Sequence, residues 1–262
     1  MENITSRSNN KIKHVSLLVA DSSLRKREGL FVVEGARLTQ DVFLSGAKIL
    51  ELYATRSALE KYGEMLDAVL LSAGACYLIT DEIALKISDT KAPQGVFCVA
   101  CPLDKTADDC KIIANNRYVA AENIQNPANL GAIARTAEAL GLDGIVVSGG
   151  CDVYNPKALR ASMGSLLRLN IFIYPDIITF LTECRAIGLK SYAAVTVGGD
   201  DVRKIDFSAG AVCVIGNEGS GLNRETINAC SDKISIPMNG RAESLNASAA
   251  ACILMWEMLR NA

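Results

Sequence analysis

The chain has 262 residues, half of them hydrophobic and about a fifth charged, with a formal net charge of −2. That length and composition suit one or two soluble domains with a sizeable core, and the near-balanced charge argues against a non-specific coat on nucleic acid. No apolar run is long enough to span a membrane, and the N-terminal "MENITSRSNNKIKHV" has no apolar signal core. The nine cysteines lack small-domain spacing, which argues against a disulfide framework and for a reducing cytoplasm. "CVAC" at 98–101 has CxxC spacing, but it lies in an apolar run without a second pair and reads as buried small hydrophobes. A lone histidine, His14, leaves no His-based triad and no multi-histidine metal site, so no metal is expected.

In chain order, residues 8–20 repeat at helical spacing, and "LFVVEG" at 30–35 is a short strand ending at glycine. "ARLTQDVFLSG" reads as a helix closed by Gly46, followed by the strand "KILELYA" at 48–54 and a helix to about Leu71. "CYLIT" and "QGVFCVA" complete a small α/β domain over 1–101, and "CPLDKTADDCK" supplies a linker at 102–111. A second domain, 112–262, opens with the strand "RYVAAEN" and a helix over about 129–140. The strand "GIVVSG" and one helix through "NPKALRASMGSLLRL" come next. The strand "IFIY", a helix near 175–187, the strands "SYAAVT", "AVCVIG" and "KISIP", and a helix over 244–260 finish the chain. Strands alternating with helices predict a mostly parallel sheet covered on both faces.

Three stretches carry more polar and small residues than their elements require: "ENIQNPANLGAIARTAEALG" at 122–141, "VIGNEGSGL" at 214–222 and "IPMNGRAESLNASAA" at 236–250. Each follows a strand, where open parallel sheets bind ligands. In the second, Gly216, Gly219 and Gly221 permit close backbone approach to a ligand. Their GxxGxG spacing is neither the dinucleotide fingerprint nor a P-loop. Glu218 inside the loop would repel phosphates, so an uncharged or cationic ligand fits better. A plain glycine-rich turn is the competing reading. In the third stretch, Ser244 or Asn246 would cap the last helix. Arg135 follows Asn129 by six residues among small neighbours; taken alone it is an ordinary surface arginine.

In order and spacing, "NPANLGAIARTA", "VIGNEGSGL" and "IPMNGRAESLNASAA" resemble the three motifs of the SpoU (TrmH-like) RNA 2′-O-ribose methyltransferases of the SPOUT superfamily. "FVVEGARLTQD" at 31–41 resembles the L30e-like substrate-binding domain found in many members. Ala247 stands where valine is common in the third motif, a departure that bears on local packing. The resemblance implies a trefoil-knotted C-terminal domain, S-adenosylmethionine as methyl donor, and a homodimer with sites near its interface. It places the donor on Thr196, Gly216, Ile236, Met238, Ser244 and Leu245, and the chemistry on Arg135, Asn129, Glu218 and Asn246.

On this reading Arg135 binds the neighbouring phosphate and stabilises the developing alkoxide, with proton abstraction by Arg135 as the second option. Asn129 would orient Arg135 or the ribose, Glu218 would hold Arg135 or accept from the substrate, and Asn246 would support the site. The substrate implied is RNA, ribosomal before transfer RNA. A non-catalytic RNA-binding protein on this fold and a nicotinamide-dependent oxidoreductase are the competing classes. Residues 1–37 hold seven Lys and Arg against four Asp and Glu, so Arg7, Lys11, Lys13, Arg25, Lys26, Arg27 and Arg37 are the candidate phosphate contacts.

Overall fold

A computed structural model describes residues 1–103 and 111–260. In order the chain forms β1 (Glu2–Ile4), α1 (Asn10–Ala20), α2 (Ser22–Glu28), β2 (Phe31–Glu34), α3 (Ala36–Leu44), β3 (Ile49–Thr55), α4 (Arg56–Ser72), β4 (Ala75–Ile79), α5 (Asp81–Ile87) and β5 (Val96–Ala100). It continues with β6 (Arg117–Glu122), α6 (Pro127–Leu140), β7 (Gly144–Ser148), α7 (Pro156–Ala161), α8 (Ser165–Arg168), β8 (Ile171–Ile173), α9 (Ile177–Ala186), β9 (Ser191–Ala194) and β10 (Asp200–Asp201). A 3-10 turn (Val202–Lys204), β11 (Ala211–Ile215), α10 (Arg224–Ala229), β12 (Asp232–Ser235) and α11 (Ala247–Arg260) close it. These segregate into two compact units, one of residues 1–103 with 154–168, the other of 104–153 with 169–262. The linker expected at 102–111 falls largely on 104–110, outside the described residues.

The first unit holds a five-stranded sheet in the order β1-β4-β3-β5-β2. β1, β4 and β3 run parallel, while β5 is antiparallel to both β3 and β2. Ile12, Val15 and Leu18 of α1 pack with Tyr53, Phe97 and Val99 of the sheet. Cys98 in β5 is fully buried and its thiol is pushed far up by that burial, as a small core residue should be. The single helix expected through 155–169 is broken instead, because Met163 and Gly164 both adopt left-handed backbone (φ 51° and 85°). A side chain at Gly164 would collide with the Asp41 carboxylate and the Arg168 guanidinium, which pair at 3.1 Å. Arg160 forks onto Asp89 at 2.6 and 2.8 Å, and the Tyr154 ring lies tilted against Phe31 with centroids 4.5 Å apart.

The second unit is a seven-stranded sheet in the order β10-β12-β9-β11-β6-β7-β8, with every pairing parallel. Its interior strands read as continuous apolar runs, as strands covered on both faces must. From β6 the chain steps outward to β7 and β8, then returns to build the other half, placing β11 directly beside β6 in register from Ala211↔Arg117 to Ile215↔Ala121. The order therefore reverses between β6 and β11, the position where parallel sheets open a crevice at their carboxyl ends. The loops after β6, β11 and β12 are the three dense stretches of the sequence.

Candidate active site

The loop after β6 is fixed before it becomes helix. Asn123 has left-handed backbone (φ 54°) and its N–H donates to the Ser148 carbonyl at 2.8 Å. Asn126 caps α6 by accepting from the Ala128 N–H at 2.9 Å, and Pro127 opens the helix two residues before the expected start. Asn129 is thereby placed on the first turn, 6% exposed.

The glycine-rich stretch folds into a tight hairpin. Asn217 and Gly221 exchange backbone hydrogen bonds at 3.1 and 2.9 Å, and the Asn217 side-chain oxygen accepts from the N–H groups of Gly219 and Ser220. Gly216 needs its missing side chain, since a Cβ there would lie against the backbone of Gly221 and Leu222.

Glu218 at the hairpin tip binds the first stretch. Its Oε1 accepts from the Asn129 amide at 2.9 Å and the Asn126 N–H at 3.0 Å, and its Oε2 accepts from the Gln125 N–H at 3.1 Å. Burial works against the charged carboxyl, but the Asn129 amide and the backbone donors outweigh it and hold Glu218 below its ordinary value. The Asn217 amide adds a bond to the Asn123 carbonyl at 3.0 Å. From the third stretch, Asn246 donates its amide to the Asn129 Oδ1 at 3.1 Å while its own oxygen caps α11 through Ser248. Asn246, rather than Ser244, is the cap, so α11 begins at Ala247 and not at 244. One line of side chains, Glu218–Asn129–Asn246, ties the three stretches together.

Arg135 lies almost two turns after Asn129 on α6, exposed, with no hydrogen bond or ion pair to the described residues. The expected grip of Glu218 or Asn129 on Arg135 is not formed, because the donors of the Asn126 turn occupy the carboxylate and the Asn129 amide is already bonded at both ends. Arg135 is left available to an incoming group.

A cleft of about 360 Å³ opens beside this line. Thr196, Gly216, Ile236, Met238, Ser244 and Leu245 all line it. Among the described residues its charged lining is Glu218 and Glu243, both carboxylates. Apolar walls, glycine backbone and negative side chains suit an apolar ring carrying a cationic group and repel a polyphosphate.

The basic candidates of the first unit divide. Arg25 is 3% exposed and donates to the Leu18 and Val19 carbonyls at 2.6 and 3.1 Å, satisfying the end of α1. It is a buried structural residue and leaves the phosphate-contacting set. Lys11 pairs with Glu51 at 3.2 Å and lies over the Tyr77 ring, so it too is engaged within its own unit. Arg7, Lys13, Lys26, Arg27 and Arg37 are exposed. His14 bonds Glu28 at 2.6 Å on α1. Among the described residues no cluster of His, Cys, Asp and Glu could hold a metal ion.

Sequence reading passed over Glu122. It ends β6, is 8% exposed, and its Oε1 accepts from the Asn223 amide at 3.0 Å and the Thr226 hydroxyl at 2.6 Å. The available signal was a carboxylate closing the apolar strand "RYVAAE".

A model of the SpoU rRNA Methylase family matches residues 116–256, more than half the chain and all three stretches. The chain belongs to the SpoU rRNA methylase family. The model of the MRM3-like substrate binding domain matches residues 9–98 of this SpoU protein. It is 32% identical over 270 residues to the 23S rRNA (uridine(2479)-2′-O)-methyltransferase of Streptomyces viridochromogenes, covering 98% of this chain and 91% of that one. The 23S rRNA (guanosine(2553)-2′-O)-methyltransferase of Bacillus subtilis is 28% identical, with 98% and 99% covered. Among solved structures, the AdoMet-bound rRNA methyltransferase of Sinorhizobium meliloti superposes with a TM-score of 0.87 at 29% identity, covering 99% of this chain and 97% of that one.

Proposed function

We propose that this SpoU methylase transfers a methyl group from S-adenosylmethionine to a ribose 2′-hydroxyl of ribosomal RNA. The observation that carries the reading is the junction of the cleft with the Glu218–Asn129–Asn246 line, which ties the three stretches together. The cleft suits the donor, which has an adenine ring and a sulfonium and no phosphate. When bound, the donor supplies an electrophilic methyl whose loss to oxygen leaves a neutral thioether.

The chain's own residues then have three tasks. Ile236, Met238 and Leu245 would hold the donor by its apolar parts, and the backbone beside Gly216 would be open to its hydrogen-bonding groups. Asn129, locked at both ends of its amide, fixes the floor on which the ribose rests. Arg135 meets the adjacent phosphate and offsets the charge that grows on O2′ as its proton passes to solvent water. An arginine keeps its own proton in proteins, so this role is preferred to that of a base. Positioning supplies most of the rate, since the methyl is already activated.

The same reading makes residues 1–101 the unit that selects RNA, through Arg7, Lys13, Lys26, Arg27 and Arg37. It also includes the trefoil-knotted C-terminal segment expected of the family. The protein acts as a cytoplasmic homodimer: the outward side of α11 carries Trp256 at 58% and Ile253 at 38% exposure, apolar surface that a second copy would cover. No helix among the described residues is long and apolar enough to cross a membrane. Transfer of labelled methyl from S-adenosylmethionine to unmodified ribosomal RNA, with the modified nucleoside identified, tests the proposal. Label appearing only in transfer RNA would redirect it.

A further inference from the structure

The glycine hairpin is gripped from β6 at two levels. The upper grip is the one described: Glu218 and Asn217 reach the backbone of residues 123–126. The lower grip is Glu122. Its Oε1 takes the amide of Asn223, two residues beyond the point where Gly221 closes the hairpin, and the hydroxyl of the fully buried Thr226. Asn223 in turn caps α10 by accepting from the Thr226 N–H at 2.7 Å. The hairpin leaves β11 at a strand paired to β6, and it ends at a side chain bonded to β6.

Glu122 Oε2 is buried without a hydrogen-bond partner. A buried carboxyl with one oxygen engaged is a poor device for stability alone, because an apolar side chain of similar volume avoids its desolvation cost. What Glu122 provides is direction: it fixes where the hairpin ends and so where Gly216 to Gly221 line the cleft.

We propose that Glu122 is a positioning residue for the methyl-donor cleft, holding the exit of the 216–221 hairpin through Asn223 and Thr226. The proposal rests on the donor reading of that cleft, and its test separates the two.

Glu122→Met removes the acceptor at similar volume, Glu122→Gln keeps one acceptor oxygen, and Asn223→Ser keeps a helix cap while dropping the amide donor at an exposed position. Calorimetry with S-adenosylmethionine and, separately, RNA binding are measured on full-length protein. Glu122→Met should weaken donor binding about tenfold, the scale of a lost bond to a charged group, with RNA affinity unchanged. Asn223→Ser should weaken it about threefold for the loss of one neutral donor, and Glu122→Gln should restore most of the affinity. Hydrogen exchange of the 216–222 amides, read without any ligand, should quicken in Glu122→Met and Asn223→Ser while the sheet stays protected. Because Asn223→Ser should fold even where Glu122→Met does not, unchanged exchange at 216–222 in Asn223→Ser overturns the proposal. So does a donor affinity that falls together with RNA affinity and melting temperature in every variant. A wild type that binds no donor would refute the donor reading, and the exchange result would still decide the clamp.

Discussion

On the proposed reading, Arg135 and Asn129 divide the work of recognition between a free side chain and a locked one. The guanidinium has no hydrogen bond or ion pair among the described residues, whereas the amide six residues earlier has both ends tied. Arg135→Ala should lower turnover by about 100- to 1000-fold, the cost of losing a transition-state contact, while donor affinity measured by calorimetry stays near wild type. Turnover close to wild type would remove Arg135 from the chemistry. Glu218 holds the Asn126 turn through the Asn126 and Gln125 N–H groups, and pH exposes that role. Its folded value lies below the ordinary 4.5, so its stabilisation is present above that value and lost as pH falls through the folded one. Glu218→Gln should therefore melt below wild type at neutral pH, and the difference should close in acid below 4.5. A difference that persists unchanged into acid would mean that the carboxylate charge does not hold the Asn126 turn.

At the scale of elements, the alternation of strands and helices and the three site loops were legible, because parallel strands are continuous apolar runs and the loops are dense in residues their turns do not need. What was not legible depended on partners distant in sequence. The helix expected through 155–169 breaks at Met163 and Gly164, where Asp41 and Arg168 meet. Arg25 looked like one more basic residue, but the carbonyls ending α1 take it inside. Glu218 was expected to hold Arg135 or to accept from the substrate, and only the fold reveals the three donors it binds, the Asn129 amide and the Asn126 and Gln125 N–H groups. Short elements such as β1, α2, α5 and α10 have too few residues to show a period. The hairpin itself gives a sharp expectation. Gly216→Ala would push a methyl into the backbone of Gly221 and Leu222, so it should weaken donor binding by at least about tenfold, the cost scale of core overpacking. The titration is calorimetric. Equal affinity would show that the hairpin is looser than its hydrogen bonds imply.

For the molecule as a whole, the sequence divides at the linker, while the packing assigns residues 154–168 to the N-terminal unit through Arg160–Asp89, Arg168–Asp41 and Tyr154 beside Phe31. A fragment cut at the linker would strip those partners away, so the full chain is the proper object for assays. The apolar side of α11 leads to the assembly state. Full-length protein should sediment as a dimer at micromolar concentration, and Trp256→Glu should shift it towards monomer. A wild-type monomer with methyl transfer intact would refute the dimer. The most direct measurement remains the reaction itself: purified protein, S-adenosylmethionine labelled in the methyl group and ribosomal RNA lacking the modification, followed by nucleoside analysis. Label in a single 2′-O-methylated nucleoside, abolished by Arg135→Ala, is expected. Label on a base, or none despite donor binding, would contradict a ribose methyltransferase built on Asn129, Arg135 and the cleft.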